Sequence, residues 1–145
     1  MRKLIKSLLV LTFMSASLMS QARTTDETCW ENVVKAISQV ESGGNPKAVN
    51  GIYAGYLQIA PVLVDECNRI NKLNKVDKKY SYADRFSVEK SIEMFHIIRK
   101  FYVKDDSVEK MIRLWNGGPG FTIPKTETYF KKVYKVYKQI QEAAD

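Results

Sequence analysis

Trp30-Glu31-Asn32-Val33-Val34-Lys35-Ala36-Ile37-Ser38-Gln39-Val40-Glu41-Ser42-Gly43-Gly44-Asn45-Pro46 is the stretch that decides the fold. Trp30, Val33, Val34, Ile37 and Glu41 recur at helical spacing, so the segment predicts an amphipathic helix whose apolar stripe ends in a carboxylate. Gly43 and Gly44 suit the left-handed backbone that ends a helix, and Pro46 cannot continue the hydrogen-bond ladder. A carboxylate carried on a buried stripe loses solvation and holds its proton to higher pH, which is the property of a general acid. Periodicity alone is equally compatible with a surface Glu41 at a frayed helix end.

Outward from this helix, the pattern stays helical. Residues 45–60 read as a loop with short extended pieces and a small hairpin around Tyr53 to Ile59. Pro61 opens a second helix with Leu63, Cys67, Ile70 and Leu73 on one side. A connection over 74–86 leads to Ser87, a cap for a third helix marked by Val88, Ile92, Phe95, Ile98 or Arg99, and Tyr102. Asp105, Asp106 or Ser107 caps a fourth helix that buries Val108, Met111, Ile112 and Trp115 and stops at Asn116-Gly117-Gly118-Pro119-Gly120. Tyr129, Val133, Val136, Tyr137 and Ile140 mark a fifth. The expectation is an all-α domain, or a mainly α one with a small hairpin, without internal repeats.

Arg2, Lys3 and Lys6 followed by the apolar run Leu8 to Met19 and by Ser20-Gln21-Ala22 read as a secretory signal peptide over residues 1–22. The run is short for a membrane span. Residues 23–145 are then one domain, exported to the periplasm or secreted, with no stable membrane span after cleavage. The leader holds three of the 23 basic residues and no acid, so 20 basic and 16 acidic residues remain, about +4. Such a surface suits an anionic polymer such as a cell wall. Nucleic acid is the weaker reading and is not expected as a partner, because Lys131, Lys132, Lys135 and Lys138 recur around an amphipathic helix as a solvated face and an exported protein seldom meets DNA.

Two cysteines, Cys29 and Cys67, are expected to pair as a disulfide in an oxidising compartment. Together with a single histidine, His96, they cannot build an ordinary zinc site, and no metal or cofactor is implied. His96 sits far in sequence from any serine or cysteine nucleophile, which leaves a Ser/His or Cys/His hydrolase unsupported.

Four segments, in order, carry a resemblance. Glu41-Ser42-Gly43-Gly44-Asn45-Pro46, Gly55-Tyr56-Leu57-Gln58-Ile59-Ala60-Pro61, Trp115-Asn116-Gly117-Gly118-Pro119 and Tyr129-Phe130-Lys131-Lys132-Val133 resemble the E-S-x-x-N-P, G-L-M-Q-I-x-P, Y-N-x-G and Y-V-x-x-V segments of the lytic transglycosylases related to goose-type lysozyme. The resemblance runs from Trp30 to Tyr137 and implies a lysozyme-like helical domain. It also implies cleavage of the β-1,4 bond between N-acetylmuramic acid and N-acetylglucosamine in peptidoglycan glycan strands, with formation of a 1,6-anhydro ring. Glu41 would be the single catalytic carboxylate, acid first and base second. By the same resemblance, Ser42 would hold or polarise the glutamate and the sugar, Gln58 would bond an N-acetyl or hydroxyl group, and Asn116 would line the cleft. Tyr129 would direct its hydroxyl at Glu41.

Tyr53, Tyr56 and Trp115 offer flat faces to sugar rings, and Trp115 reads equally as core. Asp65, Glu66 and Asp84 read as helix-start or surface charges. Trp115 stands where the family carries tyrosine and Leu57 where it carries methionine, both apolar exchanges. The approach Pro124-Lys125-Thr126-Glu127-Thr128 is shorter than the family's, which puts the register of Tyr129 in question. Two rival readings remain: a goose-type lysozyme-like muramidase ending the reaction with water, and a non-catalytic peptidoglycan-binding protein of an envelope-spanning secretion or conjugation apparatus. Retention of Glu41 with Gln58 weighs against the second.

Overall fold

A computed structural model describes residues 26–144; the leader expected over residues 1–22 lies outside them. The chain divides into two units, Met1–Glu31 and Asn32–Asp145. In the first, residues 26–31 are helical. The second contains the remaining elements and is mainly α-helical with one small hairpin.

Helix α1, which in this unit covers residues 32–42, buries Val33, Val34 and Ile37 of the predicted stripe, and Ala36 beside them. It ends where Gly43 and Gly44 take φ of 62° and 77°, and their N–H groups close back onto Gln39 O and Ser38 O. Strands β1 (Val49–Asn50) and β2 (Tyr53–Ala54) pair antiparallel across Gly51-Ile52, with Val49 opposite Ala54 and Asn50 opposite Tyr53. The hairpin therefore lies N-terminal to the Tyr53 to Ile59 placement expected, and Ile59 joins it only through one bridge to Ala54. Strands of two residues leave no alternation to read.

Helix α2 (Pro61–Leu73) starts on its proline and buries Val64, Cys67 and Ile70. Leu73 is exposed, and Leu63 is half-buried. Asn68 and Asn71 fasten the following connection to α2: the Asn68 amide exchanges bonds with the backbone of Tyr80, and Asn71 Nδ2 donates to Lys78 O. These bonds bring Tyr80 into the core. A 3-10 turn (Tyr82–Phe86) follows, opened by a reciprocal cap between Ser81 and Asp84.

Ser87 and Ser107 accept bonds from the N–H groups of Lys90 and Lys110 and so cap α3 (Val88–Tyr102) and α4 (Val108–Gly117). Helix α3 buries Ser91, Met94, Phe95, Ile98 and Arg99, while Val88 stays partly exposed. Helix α5 (Ile123–Glu142) begins with Pro124 in its first turn and buries Thr126, Val133 and Tyr137. It packs chiefly on α4, as α2 packs on α3. Arg113 fastens the α4–α5 pair: its side chain lies over the Phe130 ring and donates to Glu109, Thr126 and Glu127. No helix among the described residues is long and apolar enough to cross a membrane.

Candidate active site

Glu41 occupies the last turn of α1 and lines a cavity of about 630 Å³. Asn50 and Tyr53 of the hairpin, Gln58, residues of α2 and α3, and Trp115, Asn116, Gly118 and Pro119 at the end of α4 complete the wall. Burial pushes the Glu41 carboxyl above its ordinary value, and one hydrogen bond opposes this: the Tyr129 hydroxyl donates to Oε1 at 2.7 Å. The same pairing, with burial first, pushes the Tyr129 phenol upward, so it stays a donor.

Tyr129 reaches Glu41 because α5 starts well ahead of it. With Pro124 in the first turn, Thr126, Tyr129 and Val133 fall on one inward stripe, and the short approach costs the helix nothing in register.

Gln58 is held in a left-handed conformation, φ 50°, of the kind that costs a non-glycine residue on the order of 1 kcal/mol or more. Its Nε2 donates to Ala48 O (3.1 Å) and Gly55 O (2.9 Å), which fixes the loop and leaves the carbonyl oxygen as the group it can offer a ligand. A side strap supports this loop. Arg85 donates to Ile52 O and Ile59 O at 2.9 and 3.1 Å, and a Cβ on Gly55, φ 80°, would stand 1.7 Å from Arg85 O.

The residues predicted from sequence sort into two groups. Glu41, Tyr53, Gln58, Trp115 and Asn116 share the cavity wall, and Tyr129 stands on Glu41. Trp115 is half-buried, its ring tilted against Phe95 with centroids 5.4 Å apart and its Nε1 donating to Leu57 O at 3.3 Å. Ser42 is not aimed at the glutamate: its hydroxyl bonds Tyr56 O at 2.8 Å and Ser38 O at 3.1 Å. It thereby joins the end of α1 to the Gln58 loop. Tyr56 contributes that carbonyl, and its side chain is not part of the cavity wall. Cys67, one half of the expected Cys29–Cys67 bridge, carries a thiol and not a disulfide. Cys67 is buried, with Sγ 3.6 Å from Met94 O, and burial pushes its thiol up to about 12, which suppresses the thiolate that disulfide formation needs.

Glu66 is the main correction. It is no plain helix-start charge but lines the cavity together with Tyr102, Val62, Leu63, Ile98 and Leu114. Its partners come from its own helix and from α3, a pairing that local sequence cannot display. The other two acids behave as expected: Asp84 caps the 3-10 turn, and Asp65 is exposed and accepts from Tyr82. Among the described residues, no group of three or more His, Cys, Asp or Glu side chains is placed to hold a metal ion.

The model of the transglycosylase SLT domain matches residues 18–139, well over half of the chain. The chain belongs to this family. Membership places it with the lytic-transglycosylase type of glycan-cleaving protein, acting on peptidoglycan. No curated protein and no solved structure matches it.

Proposed function

We propose that this transglycosylase SLT domain cuts the β-1,4 bond between N-acetylmuramic acid and N-acetylglucosamine without water, using Glu41 as its only acid and base. The observation that carries the reading is the half-buried Glu41 in the cavity wall, its proton favoured by burial and its oxygen held by Tyr129 at 2.7 Å. In the first step the Glu41 proton passes to the glycosidic oxygen and the bond from that oxygen to C1 of N-acetylmuramic acid breaks. In the second, the Glu41 carboxylate takes the proton of the C6 hydroxyl, and O6 bonds to C1. Glu41 ends protonated, and the products are a 1,6-anhydro end and a free 4-hydroxyl.

Each neighbour has a part in this cycle. Tyr129 stabilises the carboxylate between the two steps and fixes its orientation. Gln58 O and Asn116 bond N-acetyl or hydroxyl groups, and Tyr53 and Trp115 give apolar faces to the rings. Neutral groups suit a transition state with oxocarbenium character, since nearby cations would oppose it. Intramolecular attack by the C6 hydroxyl also has a large effective-concentration advantage over solvent. Such a substrate lies outside the cytoplasmic membrane, which fits the basic and apolar leader and an exported protein opening the wall for growth, a phage, or an envelope-spanning secretion or conjugation machine.

Mass spectrometry of muropeptides released from purified sacculi tests the reaction. Anhydro ends, one water lighter than hydrolytic products, are expected to dominate. A digest dominated by new reducing ends would make the enzyme a muramidase with Glu41 still as acid. Absence of any release would favour the binding-protein reading.

A further inference from the structure

The cavity holds a second carboxylate whose surroundings differ from those of Glu41. Both oxygens of Glu66 accept from the Arg69 guanidinium, Oε2 from Nε at 2.7 Å and Oε1 from Nη2 at 2.6 Å, and Oε1 also accepts the Tyr102 hydroxyl. A carboxylate oxygen offers about two acceptor sites, so Oε1 is filled and Oε2 retains one. The Tyr102 oxygen donates its proton to Glu66 and is also bonded by the Arg69 guanidinium, which leaves it one of its two lone pairs. Glu66 keeps a quarter of its side-chain surface accessible, 24%, and both residues line the cavity beside the apolar Val62, Leu63 and Ile98.

From this geometry we propose that Glu66 and Tyr102 form a glycan subsite, in which two adjacent acceptors take the donor groups of one neutral N-acetylhexosamine ring while the apolar side chains meet its face. The inference rests on the glycan-cleaving reading above and adds a recognition role to it. Three features set it apart from a second catalytic carboxylate. The hydrogen bond from Arg69 lowers the Glu66 pKa from its ordinary value, with burial a weaker, opposing influence, so Glu66 is a weak base for activating water. The Arg69 charge offsets that of Glu66, so the pair favours a neutral donor over an ammonium group. Arg69 and Tyr102 fix the carboxylate before any ligand arrives, which lowers the entropy lost on binding.

The test measures binding of N-acetylchitohexaose, a neutral oligosaccharide without peptide, by calorimetry in a Glu41→Gln background, with and without Glu66→Gln or Tyr102→Phe. Turnover of purified sacculi is measured in the otherwise wild-type protein carrying the same two changes. Each change is expected to weaken oligosaccharide binding roughly 3–10-fold, the worth of one hydrogen bond. KM should rise by a similar factor with kcat largely kept. Thermal melting checks the fold, and Tyr102→Phe, which keeps the aromatic body, serves if Glu66→Gln fails to fold.

Several results would overturn the subsite. Loss of kcat by 100-fold or more with binding unchanged would make Glu66 catalytic. Unchanged binding and turnover in folded variants would make it structural. An effect seen on peptide-bearing sacculi but not on N-acetylchitohexaose would assign Glu66 to the stem peptide. A protein with Glu41 and Glu66 intact that neither binds nor cleaves glycan would instead refute the underlying reading, and with it the subsite.

Discussion

Replacing Tyr129 by Phe removes one oxygen and keeps the ring, so it isolates the 2.7 Å bond to Glu41 Oε1. Hydrogen bonds to charged groups contribute about 1.5–3 kcal/mol, and that stabilisation is concentrated in the ionised form of Glu41, since a carboxylate accepts more strongly than a carboxylic acid. The carboxylate is the species generated when the leaving oxygen takes the proton. Its loss of stabilisation maps to roughly 10–100-fold in kcat/KM. The variant also has a pH signature. Tyr129 lowers the Glu41 pKa against the larger effect of burial, so its removal raises that pKa further. Activity that needs protonated Glu41 falls as pH passes through that pKa, and the descending limb of kcat/KM should move to higher pH in the variant. Initial rates of anhydro-muropeptide release, followed across the pH range, give both quantities. A variant with wild-type rate, or with a descending limb at lower pH, would refute the role assigned to Tyr129.

Glu41→Gln should lower turnover by about 10²–10⁴-fold, because the amide keeps the shape but cannot cycle a proton. The same variant should melt higher than wild type at pH 7 and no higher at pH 4: the folded-state pKa lies above the ordinary 4.5, the native state binds more protons between the two values, and stability falls as pH rises through that window. An unchanged difference in melting temperature across this range would remove the claim that Glu41 is desolvated. Gly55→Ala should destabilise by about 2 kcal/mol or more, since Cβ would meet Arg85 O at 1.7 Å in a left-handed backbone, and a loss below about 0.5 kcal/mol in denaturant unfolding would sink that account. Cys67 should resist alkylation at pH 8 in the folded protein and react on denaturation; rapid labelling of the native protein would show it is not the buried thiol described.

What the sequence revealed follows the range of the interactions. Helix α1, its glycine stop and the serine caps of α3 and α4 rest on contacts within a few residues, and periodicity with cap chemistry reads such contacts directly. Leu63 was expected in the core of α2, yet Val64 is the buried residue and Leu63 turns to the cavity, because the 3.6-residue period leaves neighbouring faces within one position of each other. Ser42 was expected at the glutamate and instead bonds Tyr56 O, 14 residues away, which depends on how the loop returns to the helix end. Glu66 and Tyr102, 36 residues apart, meet only through α2–α3 packing. Nothing beside either residue marks it for a cleft.

The two carboxylates of one cavity show how position sets chemistry. Glu41 sits at the carboxyl end of its helix, half-buried, with a phenol as its donor; Glu66 sits in mid-helix, beside a guanidinium that engages both its oxygens. The first environment favours the proton and the second removes it, so the environments push the two pKa values apart. A residue that must give a proton and then recover it needs both forms within reach near the working pH. Burial alone biases Glu41 toward its protonated form and would oppose the second step of the proposed cycle. Tyr129 counters part of that bias without adding a charge, as an arginine in its place would, and so, in the proposed reaction, without opposing the positive charge that would develop on the sugar. In the proposed cycle the division between a proton-cycling glutamate and an ionised one follows from burial at Glu41, which Tyr129 partly offsets, and from Arg69 and Tyr102 at Glu66; of these three side chains only Tyr129 belongs to a segment that resembles the family's motifs.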